Sequence, residues 1–167
     1  MKIYKAGIIG LGYIGAGDQI SGDALGQQVS DLDGTHLAAL SNHPQVNVVA
    51  GSSRDQGRRE RFFNRTGAKT YPEWRDLIAQ EDLDIVSVAT YANAHAEPTI
   101  ALAKAGMRVI YCEKPVAQTI KDAQRMLACC AESGSLLVFN HQRRFASCLR
   151  RLRNHIKDNG IGELTSV

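Results

Sequence analysis

Near the N-terminus, residues 6–15 read A-G-I-I-G-L-G-Y-I-G, an apolar run that passes straight into Gly10-x-Gly12-x-x-Gly15. The run reads as a strand, and glycine at the first motif position permits a tight turn out of it. Glycine at the second position leaves no Cβ to hold an anionic group away from the backbone N–H groups. Glycine at the third lets a helix pack closely on the sheet, its N-terminal end facing the anion. The corner therefore suits a diphosphate, and it predicts dinucleotide contacts from Gly10, Gly12, Tyr13, Ile14 and Gly15. Taken alone, the motif also fits a glycine turn in another α/β protein, so the reading depends on the rest of the chain.

Beyond the corner, strand and helix patterns alternate. Strands are predicted over 46–51, 69–71, 84–90, 107–112 and 136–140, and helices over 55–66, 72–80, 97–104, 120–132 and 148–157. Gly67, Gly106 and Gly134 stand where helices should stop, and Pro72 stands where one should start. The 84–90 run is almost continuously apolar, as a strand covered on both faces requires. The predicted fold is α/β, a doubly wound parallel sheet (Rossmann fold) of six strands. Residues 1–145 form the dinucleotide-binding domain, and 146–167 a connecting helix leading towards a second α/β domain. Residues 16–34 interrupt the pattern: they are rich in Gly and Asp, contain no Lys or Arg, and show no clean period. They read as an inserted loop, with one short helical turn near 24–28, and serve either as a lid or as a solvated excursion.

Composition narrows the classes further. The 167 residues carry a formal net charge of +3, with Lys and Arg scattered rather than interleaved with aromatics, which predicts no nucleic-acid partner. Arg58, Arg59 and Arg61 read as a solvated helix face. No apolar stretch is long enough for a bilayer. The four cysteines show neither paired nor ligand-like spacing, so reduced thiols, no metal site and a cytoplasmic setting are expected.

In such a sheet, ligands bind beyond the carboxyl ends of the strands. Those ends present Ser52, Ser53 and Arg54 after the second strand, Thr90 and Tyr91 after the fourth, Glu113-Lys114-Pro115 after the fifth, and Asn140 to Arg144 after the sixth. The second strand meets the adenosine ribose, where a carboxylate would favour NAD and repel the 2′-phosphate of NADP. Asp31 and Asp33 have the usual spacing from the glycines but lie in the insert; Ser53 and Arg54 hold the position. A hydroxyl beside a guanidinium suits a phosphate, so NADP is preferred, with NAD the alternative. Lys114 can orient a substrate hydroxyl or carbonyl and polarise it. Glu113 can pair with that lysine or face the nicotinamide, and Pro115 is a candidate for a cis bond.

Together, the glycine motif, Thr90 with His95 five residues on, Glu113-Lys114-Pro115 after a strand, and Arg143-Arg144-Phe145 resemble the glucose–fructose oxidoreductase/inositol dehydrogenase (Gfo/Idh/MocA) family. The resemblance covers nearly the whole chain apart from the insert. It implies an NAD(P)-dependent oxidoreductase acting by hydride transfer on a sugar, cyclitol or related polyol, with a possible homo-oligomer. It places Lys114 as the catalytic residue beside nicotinamide and substrate. Glu113, Thr90, Tyr91, His95 and Arg144 become cofactor contacts. By itself, His95 reads equally as a helix-start residue satisfied by backbone.

The chain departs from the family pattern in three places. Tyr91-Ala92 stand where the family has Pro-Asn. His36, the match for a family histidine three residues beyond the third glycine, comes twenty-one residues after Gly15. The aspartate and histidine of the family's second domain, the latter commonly the proton acceptor, have no counterpart here. The expected function is thus the cofactor-binding domain of such an enzyme, catalytically incomplete alone. The alternative is a stand-alone, non-catalytic dinucleotide-binding or protein-interaction module.

Overall fold

The computed structural model describes residues 1–19, 34–163 and 165. Its strands are β1 (Tyr4–Ile9), β2 (Val46–Ser52), β3 (Lys69–Tyr71), β4 (Ile85–Val88), β5 (Val109–Cys112) and β6 (Leu136–Phe139). All pair in parallel in the order β3-β2-β1-β4-β5-β6, so the chain reverses its winding between β1 and β4. That reversal opens a crevice at the carboxyl ends of β1 and β4, the place where doubly wound sheets bind ligands.

The helices are α1 (Tyr13–Ala16), α2 (His36–Ser41), α3 (Gln56–Thr66), α4 (Trp74–Gln80), α5 (Ala96–Lys104), α6 (Ile120–Ser133) and α7 (Ser147–Lys157). Local chemistry sets several ends. Thr35, Asp55 and Thr119 accept the N–H groups of Ala38, Arg58 and Asp122 at the starts of α2, α3 and α6. Gly67 and Gly134 close α3 and α6 in the left-handed conformation. The fourth helix begins at Trp74, two residues after the proline predicted to open it, with Glu73 still extended. Two apolar clusters cover the sheet. One gathers Val86, Val88, Leu102, Ile110 and Met126; the other gathers Ala6, Ile8, Leu11 and Phe62.

The helix expected after the glycine corner is split. Its first turn, α1, stops at Gly17 in the left-handed conformation, and α2 resumes the path against it. The helical turn predicted near 24–28, and Asp31 and Asp33, lie outside the described residues. The segment read as an insert nevertheless begins inside the folded body. Ala16 is buried, and the Asp18 carboxylate, 3% exposed, accepts both Arg61 Nε and Nη2 at 2.8 Å. Arg58 Nε adds a longer ion pair at 3.6 Å, and Arg65 reaches the Ala16 carbonyl at 2.7 Å. Arg59 meanwhile donates to the carbonyls of Ser53 and Arg54. The arginines of α3 are therefore not the solvated face expected of them; they clamp α1 and the end of β2 to α3.

Candidate functional site

A cleft of about 940 Å³ runs along the carboxyl ends of β2, β1, β4 and β5. At its middle sits the glycine corner. Gly10 has φ +99, and a Cβ there would lie 2.5 Å from the Ala89 carbonyl oxygen. Glycine is thus required by conformation and by space. Gly12, Tyr13 and Ile14 line the cleft. Their N–H groups donate to nothing among the described residues, because α1 has no side-chain cap. Free donors around a corner without side chains fit a diphosphate. Gly15 lies behind this wall: a Cβ there would meet the Gly10 carbonyl oxygen at 1.9 Å, so it permits the close helix approach and does not itself line the cleft.

Ser52, Ser53 and Arg54 border one end of the cleft. The Ser53 hydroxyl accepts the Asp55 N–H at 3.3 Å and keeps its own proton for donation. The Arg54 side chain is exposed and unpaired among the described residues. Asp55 is occupied in capping α3. Sequence reasoning missed the wall opposite: Trp74 and Arg75 line the cleft, with the Arg75 guanidinium 4.1 Å from the Trp74 ring centroid. Their signal was available, since they follow the carboxyl end of β3, a strand end as near the crevice as the others.

Thr90, Tyr91, Glu113 and Lys114 border the other end, and Asn93, one position beyond the family's usual place, lines it too. Tyr91 is exposed, whereas Thr90 donates its hydroxyl to the Ala94 carbonyl. His95 is fully buried and faces the Pro115 and Thr90 carbonyl oxygens at 2.9 Å each. It does not line the cleft; it is a helix-start residue satisfied by backbone, tying the end of β4 to the Lys114–Pro115 turn. That peptide bond is cis.

Glu113 does not pair with the lysine beside it. Its carboxylate, 7% exposed, accepts His36 Nε2 at 2.9 Å, Asn140 Nδ2 at 2.5 Å and the Lys114 backbone N–H at 2.9 Å. Burial pushes this carboxyl upward, but the bonds from His36, Asn140 and the Lys114 backbone outweigh it and hold the group at about 2. His36 Nδ1 meets the Ser87 hydroxyl, and Tyr111 donates to the other end of Asn140 at 2.5 Å. A buried polar chain thus links α2, β4, β5 and the end of β6 beneath the cleft. His36 was absent from the expected site; its partner lies 77 residues away, and no local pattern announces such a pair.

Lys114 is exposed, and its ammonium has no hydrogen bond or ion pair among the described residues. It lines the cleft and also a second cavity of about 560 Å³, which carries His141 and Arg144. Arg144, expected at the cofactor, thus lies on this cavity and not on the cleft. No helix among the described residues is long and apolar enough to cross a membrane. The Cys112 thiol is pushed up to about 12 by burial, well away from nucleophilic use.

Known proteins share this fold. The model of the Gfo/Idh/MocA oxidoreductases, a family with an NAD-binding Rossmann fold, matches residues 4–141. Inositol 2-dehydrogenase from Salmonella typhimurium is 30% identical over 160 residues, which are 95% of this chain and 43% of that protein. The 1,5-anhydro-D-fructose reductase of Ensifer adhaerens is 34% identical over 118 residues, 71% of this chain and 35% of the reductase. KijD10, a 3-ketoreductase from Actinomadura kijaniata solved with NADP, superposes with a TM-score of 0.77 at 27% identity, covering 97% of this chain and 46% of its own. The chain spans less than half the length of each of these relatives. The match spans the glycine corner, the E-K-P turn and all six strands, and the chain belongs to the Gfo/Idh/MocA oxidoreductase family and carries its NAD-binding Rossmann fold.

Proposed function

We propose that this chain is the cofactor-holding part of an NAD(P)-dependent oxidoreductase, with NADP preferred, acting on a hydroxyl or carbonyl carbon of a sugar, cyclitol or related polyol. One observation carries the reading. A single cleft joins the Arg54 guanidinium, the N–H groups of Gly12, Tyr13 and Ile14, and the Lys114 ammonium, all without partners among the described residues. In that order, they match the 2′-phosphate, the diphosphate and the reacting end of one extended dinucleotide. Trp74 offers an apolar face near the Arg54 end.

The bound nicotinamide supplies the two-electron acceptor or donor. The residues of this chain bind and orient. The backbone N–H groups hold the diphosphate, and the Ser53 hydroxyl and Arg54 fork hold the 2′-phosphate. Thr90 and Tyr91 border the nicotinamide end. Lys114 holds the reacting oxygen and stabilises negative charge that builds on it when the hydroxyl proton leaves. Glu113 positions Lys114 through the backbone N–H it accepts. The proton acceptor is not assigned to any residue of this chain.

Separate calorimetric titrations with NADP and NAD test the reading. NADP should bind about tenfold tighter or more, as a charge-assisted bond warrants. Arg54→Gln should weaken NADP by roughly 10–100-fold and change NAD by less than about twofold. Equal affinities would remove the NADP preference, and no affinity for either would overturn the proposal.

A further inference from the structure

The second cavity differs from the cleft in its charge. Three of its six lining residues, Lys114, Arg143 and Arg144, carry permanent positive charge; Asn140, His141 and Gln142 complete it. None of those three cations has a hydrogen bond or ion pair from its side chain among the described residues. Several cations elsewhere do have carboxylate partners: Arg61 with Asp18, Arg125 with Asp122, Lys69 with Glu81. The carboxylate next in sequence, Glu113, makes no ion pair with any of the three. It is turned inward and already accepts three donors.

The surrounding sequence reinforces the imbalance. The stretch from Gly134 to Lys157, both included, holds six of the chain's 20 Lys and Arg and none of its 17 Asp and Glu. The net charge of the whole chain is only +3, so this stretch of the sequence is more basic than the rest. Like charges gathered around a concavity repel one another, and an anion entering it relieves that repulsion. A neutral polyol would leave both guanidinium forks without the planar acceptor their geometry matches. The cavity is of small-molecule size, and it shares Lys114 with the dinucleotide cleft.

We propose that this second cavity recognises an anionic substrate, a polyhydroxylated compound bearing a carboxylate or phosphate. Arg143 and Arg144 hold the anionic group, and Lys114 holds the hydroxyl or carbonyl oxygen that faces the cleft. The inference rests on the oxidoreductase reading above and narrows its substrate class from polyols in general to polyhydroxy acids or phosphates. A folded nucleic acid or other polyanion is disfavoured by the concave shape and by the small number of cations.

The test uses the 167-residue chain saturated with NADP, which blocks the Arg54 end of the cleft. Ligand-observed NMR compares D-glucuronate, D-glucose 6-phosphate and D-glucose at low salt, and amide shifts map where each binds. The expected result is binding of at least one anion about tenfold or more tighter than glucose, with shifts centred on residues 140–144. The tighter of the two anions tells carboxylate from phosphate. The double variant Arg143→Gln/Arg144→Gln, at exposed positions, should abolish the preference. Equal binding of all three sugars, a preference that survives the double variant, or tighter binding of a short single-stranded oligonucleotide at the same residues would each overturn the proposal. The NADP titration of the unmodified chain is read first. Failure there removes the oxidoreductase reading itself, whereas success followed by equal sugar binding removes only the anionic substrate.

Discussion

Replacing Glu113 by Gln tests whether the buried chain beneath the cleft works as an ionised unit. The carboxyl sits at about 2 in the folded protein against its ordinary 4.5. Each unit of difference between folded and unfolded states is worth roughly 1.4 kcal/mol, so ionisation of this group contributes about 3 kcal/mol at neutral pH. Because the folded value is depressed, that contribution is complete above about pH 4.5 and is lost as pH falls through about 2. Roughly 2 kcal/mol of it should have gone by about pH 3. Urea unfolding of the wild type and Glu113→Gln at several pH values isolates this contribution. Asp84, Glu81 and Asp122 are also depressed by their partners, but their losses are common to both proteins and cancel in the difference. The stability advantage of the wild type should narrow by about 2 kcal/mol between about pH 6 and about pH 3. A difference that stays constant within about 0.5 kcal/mol over that range would refute the account of an ionised carboxylate held by His36, Asn140 and the Lys114 backbone.

Two perturbations around the corner have definite expected outcomes. Gly15→Ala would place a methyl 1.9 Å from the Gly10 carbonyl oxygen and 3.1 Å from Ala89 Cβ, whereas Gly34→Ala meets nothing within 4 Å. Urea unfolding should show a loss of about 3 kcal/mol for the first and less than about 0.5 for the second; equal effects would contradict the packing role of Gly15. Asp18→Asn halves the acceptor fork that Arg61 grips at both nitrogens. Calorimetry should show Tm lowered by about 2–10 °C, and an unchanged Tm would mean that the clamp adds nothing to stability.

Much of the fold was legible because its signals are local. The β-branched runs, the capping residues Thr35, Asp55 and Thr119, and the stop glycines each act within a few residues, and all appear where such chemistry places them. The glycine corner and the ends of β2, β4 and β5 were legible because strand ends converge on one crevice in any doubly wound sheet. Two of the misreadings share one physical origin, partners remote in sequence. Arg61 looks solvated until Asp18 arrives from 43 residues away. Glu113 looks like a partner for its neighbouring lysine until His36 and Asn140 claim it from 77 and 27 residues away. His95 and Arg144 carried roles from the family motif, yet one is sealed between backbone carbonyls and the other opens on a different cavity.

The break in the helix behind the glycine corner has a consequence for how such a domain can vary. Each flank is moored separately, Asp18 by the α3 arginines and His36 by Glu113, so the sheet does not depend on the peptide between them for alignment. Lengthening a chain between two tethered ends is cheap in principle, about 0.6 kcal/mol for each doubling. The corner is thus a graft point, where residues can be added or removed between Asp18 and His36 while the glycine turn and the lysine turn stay in place.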